Sequence, residues 1–129
     1  MKILLDTHIW LWYVSTSPNM PASLRNTLDH HTEDLWLSPI SIWETIILIQ
    51  KGKFGVNTDP VRWVRRCLEQ APLHEAPLNT EVAIKSREVD LPHQDPADRF
   101  LAATSLVYDI PLATMDMNLL KANWLQTLS

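Results

Sequence analysis

The sequence predicts an α/β fold in which a parallel sheet is covered on both faces by helices. Three observations predict it. Short apolar runs alternate with longer helical stretches along the chain, and that order calls for crossover connections and parallel pairing. The runs give way at once to helix-start chemistry, as strands in α/β units do. Pro21, Pro39, Pro60 and Pro96 each stand where a first helical turn tolerates a missing N–H.

Taken in order, residues 2–5 form a short buried strand that meets the charge of Asp6, and a helix follows over 7–14. Pro21 opens a helix over 21–31, and residues 34–38 form a second strand around Leu35, Trp36 and Leu37. The helix over 39–51 is closed by the only two glycines, Gly52 and Gly55, which mark a stop and a turn. Helices over 60–70, 80–89 and 96–107 follow, with a strand candidate at 73–76 between the first two. A strand at 111–114 and an edge strand at 124–128 complete the set. No repeat, low-complexity tract or linker divides the chain, so 1–129 is expected to be a single domain.

Composition narrows the class. With 129 residues, 46% of them apolar and 20% charged, one compact core is expected to bury roughly two-thirds of the unfolded surface. Cys67 is the only cysteine, which excludes an internal disulfide and suits a reducing compartment. The first apolar run ends at Asp6, too early for a signal-peptide core or a membrane span, so a cytoplasmic protein is expected. A net charge of −4 and a pI near 5.6 argue against a general nucleic-acid-coating protein, while a local basic surface stays open.

Four acids stand where such a fold gathers its ligands. In a parallel sheet every strand ends at the same edge, and the loops leaving that edge form the usual crevice. Asp6 follows the first strand directly, and Asp116 comes two residues after the strand at 111–114. Glu44 lies near the top of the helix leaving the second strand. The helix over 96–107 feeds the strand at Pro111 through a short loop, so it runs antiparallel to that strand and returns Asp98 to the same edge. Four distant segments thus deliver one carboxylate each to one place.

Each acid also has a local reading. Ser41-Ile-Trp-Glu44 fits a capping box, and Asp95-Pro-Ala-Asp98 supplies an N-cap and a favourable first-turn charge. Asp6 and Asp116 each precede a helical stretch that they are able to cap. Against this, Ile40-Ser-Ile-Trp-Glu-Thr-Ile-Ile-Leu-Ile is apolar on nearly every side, which predicts a largely buried helix and a buried Glu44 that needs compensation. Neighbouring carboxylates raise one another's pKa unless a cation neutralises them. Oxygen donors without cysteine or paired histidines select Mg²⁺ or Mn²⁺ over zinc.

Three segments resemble the PIN domain family and, within it, the VapC-type toxins of bacterial toxin–antitoxin pairs. They are Leu4-Leu-Asp-Thr-His-Ile-Trp-Leu-Trp, Ser38-Pro-Ile-Ser-Ile-Trp-Glu, and His93-Gln-Asp-Pro-Ala-Asp-Arg-Phe-Leu-Ala-Ala-Thr followed by Pro111-Leu-Ala-Thr-Met-Asp. The likeness runs in order over nearly the whole chain, and Asp-Pro-x-Asp-Arg with Thr-x-Asp is its most specific part. It implies a PIN-like three-layer α/β/α fold with a central parallel sheet. It also implies that Asp6, Glu44, Asp98 and Asp116 occupy the family's acidic active-site positions, and that the activity is Mg²⁺-dependent endoribonuclease cleavage of RNA. A homodimer and a cognate antitoxin covering the groove are implied as well. Leu48 departs from the pattern, because many relatives with this segment carry a lysine one turn after the glutamate; Lys51 and Lys53 are the nearest replacements.

On this expectation Asp6, Asp98 and Asp116 hold one or two ions, Glu44 orients water or completes the ion's shell, and cleavage leaves a 5′-phosphate and a 3′-hydroxyl. Thr7 and Thr114 adjoin acids and are able to bond a carboxylate or a phosphate, although local backbone bonding is the commoner use of threonine. His8 and His93 lie near the site without a paired partner for a metal, and Arg99 is expected to form a structural ion pair with Asp98. Lys51, Lys53, Arg62, Arg65 and Arg66, with Lys85 and Arg87 as outliers, read as RNA contacts or, more commonly for such runs, as a solvated helix face. Most of the six tryptophans are expected in the core, with some excess at an interface. Two rival classes remain: a non-catalytic, receiver-like signalling module with an acidic Mg²⁺-binding edge, and a degenerate PIN fold that only sequesters a partner, suggested by Leu48. A receiver needs adjacent acids after the first strand and a lysine after a late one; here Thr7 and His8 follow Asp6, and no late strand ends in lysine.

Overall fold

The computed structural model describes residues 1–129. β1 (Ile3–Leu5) leads to α1 (Thr7–Val14) and α2 (Ala22–Asp29), and a 3₁₀ turn (Thr32–Asp34) enters β2 (Leu35–Leu37). There follow α3 (Pro39–Gln50), α4 (Pro60–Gln70), β3 (His74–Glu75), α5 (Thr80–Glu88) and α6 (Pro96–Tyr108). β4 (Leu112–Ala113), α7 (Met117–Leu120) and β5 (Thr127–Leu128) end the order. Each expected strand is present but trimmed to two or three residues.

The strands form one all-parallel sheet in the order β3-β2-β1-β4-β5. Leu4 is paired with Trp36 on one side and Leu112 on the other, and Leu5 with Ala113. Side chains alternate across a strand, so β1 serves two cores. Ile3 and Leu5 pack with Trp10, Leu24, Leu28 and Val64 in one layer. Leu4 and Leu112 pack with Leu101, Ala102, Leu119 and Leu125 in the other. This is the expected three-layer α/β/α arrangement. A receiver-like module is set aside, because such folds order their strands 2-1-3-4-5.

Helix boundaries follow from local chemistry. Pro39, Pro60 and Pro96 open α3, α4 and α6 at the first turn, while Pro21 stands one place earlier as the N-cap of α2. Ser38, Asp59, Asn79 and Asp95 accept hydrogen bonds from the first-turn amides of α3, α4, α5 and α6. After α3, Gly52 adopts a left-handed φ of 71°, which glycine takes without steric cost. α6 stops at Asp109, also left-handed at φ 54°, and the Ser105 hydroxyl donates to the Ile110 carbonyl at 2.6 Å. That tight return makes α6 antiparallel to β4 and places its first turn at the sheet's carboxyl edge. No helix is long and apolar enough to cross a membrane.

One expectation about burial is corrected. α3 is not largely buried: only Ile40, Ser41 and Thr45 are, and Trp43 is 50% exposed. The helix packs against α1, α4 and α6 and leaves its remaining apolar face half-covered. Most tryptophans do belong to the cores, as expected. Trp10 alone is completely buried; Trp12, Trp36, Trp63 and Trp124 are half-buried and lie against the two cores.

Candidate active site

From β1 the chain passes to β2 and β3 on one side, and only after α6 does it return to β4 on the other side of β1. Such a reversal is the switch point where the carboxyl edge of a parallel sheet opens a crevice. A cavity of about 260 Å³ lies here, lined by Asp6, His8, Ile9, Trp12, Glu44, Asp95, Asp98, Met115 and Asp116. All four acids singled out in the sequence therefore meet, joined by a fifth, Asp95.

Asp6 is only 6% exposed. Its side chain makes no cap bond to α1, so the capping reading fails for it. The Thr114 hydroxyl instead donates to Asp6 Oδ2 at 2.7 Å and accepts the Asp116 N–H at 3.0 Å. One hydroxyl thus ties the end of β1 to the loop after β4. Thr7 donates to the Ser41 hydroxyl at 3.0 Å, neither to a carboxylate nor to its own backbone. Ser41 is therefore a buried partner joining α1 to α3, and the capping box with Glu44 does not form. Ser38 holds the cap position, and Glu44 is left half-buried on the cavity wall.

Asp116 does cap a helix, for its Oδ1 accepts the N–H groups of Asn118 and Leu119 at 2.9 and 3.2 Å. Asp95 Oδ1 likewise accepts the Ala97 and Asp98 N–H groups, which leaves the Asp98 side chain uninvolved in capping. Asp98 Oδ2 lies 3.4 Å from His93 Nε2, with the Asp98 side chain 15% exposed. His93 Nδ1 accepts the Asp95 N–H at 3.2 Å, so a neutral ring carries its proton on Nε2, facing Asp98. Arg99 makes no ion pair with Asp98. Its buried guanidinium donates to the carbonyls of Ser86, Val89 and His93 at 2.9, 2.8 and 3.1 Å, and it thereby binds the loop between α5 and α6 that carries His93 and Asp95.

Electrostatically the site is uncompensated. Burial, then the charges of Asp6, Asp95, Asp116 and Glu44, push the Asp98 carboxyl up to about 8. Burial also raises Asp6 to about 6, against the opposing pull of the Thr114 hydrogen bond and His8. No lysine or arginine lines the cavity. Leu48 packs against the core that α1 also joins, and the exposed Lys51 and Lys53 do not reach the lining. Arg62, Arg65 and Arg66 border a separate shallow groove with Asp59 and Glu69, Lys85 pairs with Glu88, and Arg87 donates to Gln94. These basic residues thus lie outside the cavity, facing solvent or paired locally.

No three of the carboxylate and imidazole groups stand together in ligating geometry. In kind, however, the donors suit a hard cation: oxygen atoms from several segments, without cysteine, and with two carboxyls whose pKa is raised, by burial first and by neighbouring carboxylates after it.

A family model described as the PIN domain matches residues 3–125. The chain belongs to the PIN domain family. This PIN domain is 25% identical over 120 residues to Ribonuclease VapC22 of Mycobacterium tuberculosis, covering 91% of this chain and 88% of that relative. Its fold matches VapBC2 from Rickettsia felis, solved bound to a promoter DNA fragment, with a TM-score of 0.73 at 14% identity, covering 99% of this chain and 98% of the other. FitAcB from Neisseria gonorrhoeae matches with a TM-score of 0.71 at 23% identity over 98% and 96% of the two chains. Sequence reasoning did not anticipate that Asp95 and Trp12 line the PIN cavity. Asp95 was hidden by its cap role, whereas the spacing of His8 and Trp12, one helical turn apart just after Asp6, was a usable signal.

Proposed function

We propose that this PIN domain is a divalent-metal-dependent endoribonuclease that hydrolyses RNA phosphodiesters as the toxin of a type II toxin–antitoxin system. The observation that carries the reading is the meeting of Asp6, Glu44, Asp98 and Asp116 in one cavity at the sheet's switch point. Family membership, a relative named as a ribonuclease and fold neighbours solved as VapBC assemblies support it. In this reading the protein binds a cognate antitoxin and forms a homodimer.

Asp6, Asp98 and Asp116 would hold Mg²⁺ or Mn²⁺. A bound divalent ion supplies Lewis acidity toward water and the scissile phosphate. To serve as a ligand Asp98 would have to give up the proton that its raised pKa lets it keep near neutrality. Thr114 holds the Asp6 carboxylate in place, and the helix-capping bonds of Asp116 fix its direction. Glu44 orients the attacking water, and in-line displacement leaves a 5′-phosphate and a 3′-hydroxyl.

The test is incubation of the purified protein with RNA and Mg²⁺, with and without chelator, alongside Asp6→Asn and Asp98→Asn. Cleavage is expected only for the wild type with free Mg²⁺. A chelated protein, or a folded Asp6→Asn variant, that cuts at the wild-type rate refutes the assignment. A second reading, a PIN domain that sequesters a partner without cleaving, draws on Leu48 and on the absence of ready ligating geometry. It predicts no cleavage in either condition.

A further inference from the structure

The cavity has two chemically different sides. Its floor is carboxylate. Its wall is aromatic and apolar, with His8 and Trp12 one turn apart on α1 and Met115 on the loop after β4. His8 is exposed, Trp12 half-buried and Met115 38% exposed. Trp10, on the same helix, is completely buried, so Trp12 differs from it in keeping part of its ring at the opening.

RNA carries a negative charge on every nucleotide, and no lysine or arginine lines this cavity to receive it. Beyond what an ion contributes, what the lining itself offers the strand is an aromatic and apolar wall suited to the bases. Aromatic side chains hold bases because every nucleobase has a face that stacks. The His8 and Trp12 rings lie 6.3 Å apart at 58°, too tilted to clamp a base between them, so a base stacks on one ring with the other at its edge. Trp12 suits that role because its remaining surface is packed on the core, which holds the ring in place before the strand arrives.

We infer that Trp12, flanked by His8 and Met115, is the stacking wall for an unpaired nucleobase beside the scissile phosphate. This rests on the endoribonuclease reading above. A base already paired in a duplex has no free face to offer, and RNA recognition of this kind falls on loops and ends.

The experiment measures cleavage by the full chain in Mg²⁺ on a single-stranded RNA oligonucleotide and on copies with one abasic nucleotide walked across the cut site. Wild type is compared with Trp12→Leu, which keeps apolar bulk, and Trp12→Phe, which keeps a ring. Trp12→Leu is expected to raise KM about ten-fold with kcat little changed, and Trp12→Phe to stay near wild type. An abasic nucleotide at one flanking position is expected to raise the wild-type KM similarly and to add nothing in Trp12→Leu. A purely structural role for Trp12 leaves the abasic penalty the same in both proteins, and that result overturns the inference. Should Trp12→Leu fail to fold, the walk on wild type still decides, since insensitivity at every position overturns it. RNA left uncut by wild type sinks both readings; RNA cut with no abasic effect sinks only the stacking wall.

Discussion

Asp98 holds its proton to about pH 8 in the fold, whereas in an unfolded chain an aspartate titrates near 3.9. Between those values the unfolded chain binds fewer protons than the folded one, so the stability of metal-free protein falls as pH rises. Asp6, raised to about 6, acts in the same direction over the lower part of that window. Urea midpoints of chelated protein are therefore expected to decline from about pH 4 to about pH 8, and Asp98→Asn to flatten the upper half. A midpoint rising throughout that range contradicts the site's electrostatics. Asp6, Asp98 and Asp116 were legible because each follows a strand or opens a helix, and Glu44 because it lies on the helix that leaves β2. Thr114 was legible only as a neighbour: its bond to Asp6 joins residues 108 positions apart, and no local pattern announces such a pairing.

At the scale of elements, the helices were readable from their prolines and caps, and α1 and α4 have the bounds expected. α3 misled because composition says how apolar a helix is without saying how many neighbours it will meet. Its flank beside Trp43 stays open. Arg99 misled for a related reason, since adjacency to Asp98 in sequence suggested an ion pair while the helix turned its guanidinium toward the α5–α6 loop. Arg99→Met removes three donors at once, although the Val89 carbonyl keeps the Leu91 N–H, and is expected to cost about 2–4 kcal/mol in urea unfolding. Faster amide exchange across residues 89–95 should accompany it. Arg99→Lys is expected to recover little, because an ammonium cannot reproduce the planar fork. Unchanged exchange in that loop in a folded Arg99→Met protein counts against the tether.

For the whole molecule, parallel pairing followed from the alternation of strands and helices, but the neighbour relations did not. Strand direction is a property of the connection, whereas the order β3-β2-β1-β4-β5 is settled by which faces pack. The convergence of acids survives either way, since every strand ends at one edge. If the cavity takes a divalent ion, Mg²⁺ at a hundred times its Kd raises stability by about 2.7 kcal/mol. Thermal unfolding with and without Mg²⁺ measures this, and Asp98→Asn is expected to lose most of the gain. Equal melting temperatures in millimolar Mg²⁺ and in chelator would count against loading. The central strand β1 leads directly into Asp6, and its neighbour β4 precedes Asp116, 110 residues later. A ribosome adding about 5–20 residues per second releases the two halves of the cavity roughly 6–20 seconds apart. Until then the nascent chain has no crevice, so the acids of the two halves cannot act together before the strand that follows α6 has joined the sheet.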